Sequence, residues 1–134
     1  MICKFYSTQR KDVSLIKRDL DLIRDILLII EAKSTPTTEV TISDFSSLKK
    51  TKEELFYHIQ LLKEANYVQA ITVDAALFFT VNHITNDGHD YIASISDSSI
   101  WAEVKKRIGP QISTVTFDIV KSVAVDLIKA HFGF

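Results

Sequence analysis

Residues 51–68, Thr-Lys-Glu-Glu-Leu-Phe-Tyr-His-Ile-Gln-Leu-Leu-Lys-Glu-Ala-Asn-Tyr-Val, change their apolar spacing at Tyr67, and that change decides the fold. Leu55, Ile59 and Leu62 recur at helical spacing, whereas Val68–Val73 and 77–84 are short apolar-rich runs with strand-like spacing. Thr51 followed three residues later by Glu54 is a capping box that opens the helix over 52–65. Asn66 suits the left-handed residue that closes it. Thr85-Asn-Asp-Gly88 then reads as a turn into another helix, with Thr85 as N-cap and Gly88 allowing close packing beside the sheet.

Working outward, Ile16, Leu20, Ile23, Leu27 and Ile30 make an apolar stripe over 15–33, with Leu22, Ile26 and Ile29 widening it and Ser14 as N-cap. Pro36 disfavours helix at the residue before it and ends this segment in Ser34-Thr-Pro-Thr-Thr. Val40-Thr-Ile42 alternates like a short strand, and Ser43 or Asp44 opens a short helix over Phe45 and Leu48. Beyond Gly88, one helix carries Tyr91, Ile92 and Ile95 and breaks near Ser96-Asp97. Another runs from Ile100 to Ile108 with Trp101 and Val104 inward, and Gly109-Pro110 ends it. A last helix over 115–132 aligns Phe117, Val120, Ala124, Leu127 and His131 and is expected to pack back on the N-terminal helix. Phe132 or Phe134 is then left for a second copy, so a homodimer is expected.

The predicted architecture is α+β and mostly helical: a winged helix-turn-helix with a β-hairpin wing and additional C-terminal helices over about 99–134. Residues 1–14 are an N-terminal extension and 15–134 a single domain, in keeping with a chain of 134 residues. The net charge of -1 supplies no global attraction to nucleic acid or to an anionic membrane. A lone Cys3, no apolar run near the length of a membrane span and no secretory signal pattern point to a cytoplasmic protein.

The stretch Lys17-Arg-Asp-Leu-Asp-Leu-Ile-Arg-Asp-Ile-Leu-Leu resembles the start of a family of small bacterial and phage winged-helix proteins of unknown function. Tyr57-His-Ile-Gln-Leu-Leu-Lys-Glu-Ala, the run from Thr85 to Ile92 with Gly88-His89-Asp90, Ser99-Ile-Trp101 and Lys105-Lys-Arg107 resemble its later parts, so the likeness covers 15–134. More distantly, His58-Ile-x-x-Leu62-x-x-Ala65-Asn66-Tyr67-Val68 is similar to the recognition helix of ArsR and PadR repressors, and Ile84-Thr85-x-x-Gly88 to the end of their wing. Asn66 stands where those families usually have Gly, and Ile84 where Leu is common. The resemblance implies a fold and brings no established activity.

By the ArsR resemblance, Lys52, Glu53, Phe56, Tyr57 and Gln60 face the major groove of duplex DNA, with Lys49 and Lys50 at the phosphates. Gln reads adenine and Lys reads guanine. Lys63, Lys4, Arg10 and Lys11 are supplementary cations. Against DNA stands the stretch from Glu64 to Glu103, which holds no Lys or Arg and carries Asp74 in the expected wing. Such a wing repels phosphate. The alternative is a protein-interaction module with Phe56, Tyr57 and Asp74 on its face, because exposed aromatics are enriched at interfaces.

An enzyme is not expected. His58, His83, His89 and His131 fall on different elements, His58 beside the buried stripe of its helix. His89 and Asp90 are sequence neighbours that diverge on a helix. No glycine-rich phosphate loop or nucleophile elbow is present, so catalytic, metal and cofactor residues are all expected to be none.

Overall fold

The computed structural model describes residues 16–112 and 114–133. Along it run helix α1 (Leu20–Lys33), strand β1 (Val40–Thr41), a 3-10 helix (Ile42–Leu48), helix α2 (Lys52–Glu64), strands β2 (Val68–Val73) and β3 (Phe78–Ile84), and helices α3 (Asn86–Ile95), α4 (Ser98–Ile108) and α5 (Phe117–Phe132). The fold is α+β, mostly helical, with one small antiparallel sheet in the order β1-β3-β2. The expected extension over 1–14, including Ser14 as a cap, lies outside the described residues.

The helix 52–65 forms as expected. The Thr51 hydroxyl accepts from Glu54 N at 3.1 Å and the Glu54 carboxylate accepts from Thr51 N at 3.2 Å. Asn66 closes it at φ 62°, the left-handed conformation Asn tolerates better than most residues. The hairpin follows at once, with Val68 opposite Ile84 and Val73 opposite Phe78, and a bulge at Gln69/Ala70. β1 adds to the far edge of β3 through Val40–Val81 and Thr41–Thr80.

Three expectations are corrected. The first helix starts at Leu20 rather than Leu15, because Asp19 has an extended backbone and its carboxylate accepts from Leu22 N. The short 3-10 helix is capped by Thr41, whose N–H donates to Asp44 Oδ2 at 2.9 Å, not by Ser43 or Asp44. The last helix starts at Phe117 under the Thr116 cap and packs on α3 and α4, not chiefly on α1. Arg18 explains part of that arrangement: its guanidinium donates to the Val115 carbonyl and lies 5.0 Å from the Phe117 ring centroid, holding the start of α5 beside the residues that precede α1.

One core unites these pieces. Ile23, Ile26, Leu27 and Ile30 of α1, Phe45, Ile59 and Leu62, Phe79 and Val81 of β3, and Tyr91 and Ile95 of α3 are all fully buried. Each such aliphatic side chain contributes about 1.5–3 kcal/mol on leaving water. Gly88 marks the tightest approach. A Cβ there would sit 2.1 Å from the Tyr67 carbonyl oxygen, the atom that accepts from Thr85 N at 3.0 Å. Only hydrogen fits where α3 starts against the entry to β2.

Candidate interaction surface on helix α2 and the hairpin

Lys49 takes a left-handed backbone (φ 55°) at the end of the 3-10 helix, and Lys50 and Thr51 lead into α2. Lys49, Lys50 and Lys52 are exposed and make no ion pair among the described residues. They surround the first turn of α2, where unpaired backbone N–H groups and the helix dipole add positive potential. The same turn carries Glu53 and Glu54, whose two negative charges stand against the three lysines; the Glu54 carboxylate accepts from Thr51 N in the capping box and keeps its charge.

One turn further along, α2 buries Leu55, Phe56, His58, Ile59 and Leu62. Phe56, expected on the outer face under either reading, is only 8% exposed and belongs to the core, so it is corrected to a packing residue. Tyr57 does lie outside, with its ring edge-on to His58 at 5.3 Å between centroids.

Gln60 and Lys63 are committed within the molecule. Lys63 Nζ donates to Thr72 Oγ1 (3.2 Å), Thr72 Oγ1 donates to Gln60 Oε1 (3.4 Å), and Gln60 Nε2 donates to Asp74 Oδ1 (3.4 Å). This directed chain ties α2 to β2 and to the 3-10 turn Asp74–Ala76 at the hairpin tip. Asp74 therefore has a structural partner, and the Gln60 amide is occupied at both ends.

The outward face of the hairpin is apolar. Ile71 and Val73 alternate outward on β2 at 57% and 45% exposure, and Phe78, opposite Val73, is 44% exposed. The sequence-based expectation placed an acidic hairpin there and missed these three. Alternation could not assign them, because the inward partners Ala70, Phe79 and Val81 are apolar as well. Thr72, the centre of the hydrogen-bond chain, carried no distinguishing signal in the sequence.

Among the histidines, His58 is buried, and its Nε2 accepts from Asp19 N at 2.9 Å while Nδ1 lies 2.7 Å from the Glu54 carbonyl oxygen. Burial pushes its pKa down, and Lys50 adds to that, against the Glu54 hydrogen bond and the charges of Asp19 and Glu54. His89 Nδ1 lies 3.9 Å from Glu31 on a distant face, in a cleft that also includes His83. No three His, Cys, Asp or Glu side chains converge on a metal-sized site among the described residues. No helix among them is long and apolar enough to cross a membrane. The basic end of α4 is partly engaged, since Lys105 pairs with Asp21 at 3.0 Å and Trp101 Nε1 donates to the same carboxylate at 2.7 Å.

A family described as "Hypothetical protein (DUF2513)" matches residues 17–113, and the chain belongs to it. An uncharacterized protein of Haemophilus influenzae is 28% identical over 116 residues, covering 85% of this chain and 97% of its own length. No solved structure matches.

Proposed function

We propose that this member of the DUF2513 family is a winged-helix, DNA-binding regulator that grips duplex DNA through the first turn of α2. The order of the short 3-10 helix, α2 and hairpin, with the sheet arranged β1-β3-β2, supports the winged-helix assignment. The observation that carries DNA binding is the exposed, ion-pair-free trio Lys49, Lys50 and Lys52 at a helix N-terminus. Three phosphate contacts correspond to a slope of about -3 in log affinity against log salt, so binding is weak and salt-sensitive. Tyr57 is the exposed aromatic on the face turned toward the groove, and Gln60 contributes to readout only by leaving its internal partners. This is a binding role and not an enzymatic one.

The experiment is a salt titration of the protein with mixed-sequence duplex DNA, by fluorescence anisotropy. Replacement of Lys49, Lys50 and Lys52 together by Ala is expected to remove nearly all binding. Failure of the wild-type protein to bind any duplex at low salt overturns the reading.

One observation favours a second reading, a protein-interaction module. Ile71, Val73 and Phe78 expose an apolar face on a hairpin without a single Lys or Arg. Such a face suits a protein surface better than a phosphate backbone. On this reading Tyr57→Ala or Phe78→Lys removes a protein partner and leaves the salt-dependent signal unchanged or absent.

A further inference from the structure

Among the histidines, His58 alone is buried, at 1% exposure, and backbone groups engage both of its ring nitrogens. Nε2 accepts from the Asp19 N–H at 2.9 Å, reaching from α2 to the residue before α1, and Nδ1 lies 2.7 Å from the Glu54 carbonyl oxygen one turn back. A backbone N–H can only donate and a carbonyl oxygen can only accept. The ring therefore fits this site only in its neutral form, with the proton on Nδ1. A second proton, on Nε2, sets donor against donor at Asp19 and leaves a charge in a closed site.

Asp19 has a second task, since its carboxylate accepts from Leu22 N at 3.1 Å and caps α1. Burial disfavours a charged His58 most; the Asp19 and Glu54 charges favour it, and Lys50, in the turn before α2, opposes it. A protonated ring is a donor on the Asp19 side, and the Asp19 carboxylate can serve as its acceptor only by leaving Leu22 N. Arg18 adjoins Asp19, donates to the Val115 carbonyl and lies 5.0 Å from the Phe117 ring centroid, so displacement of Asp19 is carried to the start of α5. The body of α1 is anchored separately. Ile23, Ile26, Leu27 and Ile30 are fully buried, and Asp21 accepts from Trp101 Nε1 at 2.7 Å.

We propose that the Asp19–His58 contact is an acid-released latch: uptake of one proton by His58 frees Asp19 from α2 and Arg18 from α5, while α1 beyond its first turn stays docked. A freed imidazole takes up a proton at about pH 6.5, whereas the latched ring, held as an acceptor in a closed site, resists it. Opening therefore binds a proton. The latch is closed above about pH 6.5 and opens progressively as pH falls below that value, by at most about tenfold in the opening equilibrium per pH unit for one linked proton. This is a local opening, distinct from global unfolding, and it does not depend on DNA binding.

Amide hydrogen exchange of the whole protein, followed residue by residue by NMR from about pH 8 to about pH 5, tests it. After correction for the intrinsic pH dependence of exchange, opening at Asp19 and Leu22 is expected to rise by up to about tenfold per pH unit below about pH 6.5. The Ile26 amide and the indole N–H of Trp101, the single tryptophan of the chain, are expected to show no such rise. His58→Gln places an amide oxygen where Nε2 accepts and removes the titration, so the rise at Asp19 and Leu22 is expected to vanish. The exposed His83, His89 and His131 are untouched in that variant, which separates them from His58. A flat profile at Asp19 and Leu22, a parallel rise at Ile26 that marks global unfolding, or an undiminished rise in folded His58→Gln protein overturns the proposal. The first two comparisons use the wild-type protein alone and stand whether or not the variant folds.

Discussion

Asp19 and His58 are joined by one hydrogen bond, from the Asp19 backbone N–H to His58 Nε2 at 2.9 Å. With Nδ1 placed to donate to the Glu54 carbonyl, the ring sits as the neutral Nδ1–H tautomer. Asp19 is also the N-cap of α1, so an imidazole on α2 holds the residue at which α1 begins.

Stability should therefore depend on pH through His58. Burial holds the folded pKa below the ordinary 6.5, so between those two values the unfolded chain binds more protons than the folded one. The contribution is complete above pH 6.5 and is lost progressively as pH falls below 6.5 toward the folded value. Urea unfolding midpoints measured from pH 8 to pH 5 should decline over that window. His58→Leu should flatten this decline, while costing about 1–3 kcal/mol at pH 8 because the Asp19 N–H loses its acceptor.

Gly88→Ala should destabilise by about 3 kcal/mol, at the upper end of ordinary overpacking, since the obstacle is the Tyr67 carbonyl and not a flexible side chain. Chemical denaturation measures this directly. An unchanged midpoint would show that α3 can shift away from Tyr67 at little expense.

Thr72→Val keeps the shape of β2 and removes the hydroxyl that both accepts from Lys63 and donates to Gln60. At this partly buried site the loss should be about 1 kcal/mol. If α2 presents Gln60 to a base, freeing its amide oxygen, while Nε2 keeps Asp74, should also alter sequence preference among duplexes, read by competition anisotropy.

Asp74→Lys replaces an acid at the hairpin tip by a cation and breaks the Gln60 end of the chain. On the DNA reading it adds about one phosphate contact, so the salt slope should steepen by about 0.9 and low-salt affinity should rise. A weaker complex with an unchanged slope would remove the hairpin from the DNA interface.

The elements of this protein were legible in the sequence wherever a local rule acts on few residues. The Thr51–Glu54 box, Asn66 in the left-handed region, the Thr85 cap and the change of apolar period at Tyr67 each act within one turn of chain, and the helix, hairpin and following helix appear where they imply. The start of α1 was misplaced because its apolar stripe continues through Ile16, while the cap is set by Asp19 held against His58, thirty-nine residues away. The partner of α5 was misplaced for a similar reason: two adjoining apolar stripes fit several helices equally well, and contacts such as that of Arg18 with Val115, ninety-seven residues apart, do not appear in any local pattern. At the candidate surface, the exposed lysines were legible as charge at a helix start. Burial of Phe56, occupation of Gln60 and Lys63, and exposure of Ile71, Val73 and Phe78 were decided only by which face of α2 and of the hairpin meets the core. Periodicity records that a segment has faces, and long-range packing chooses which one is buried.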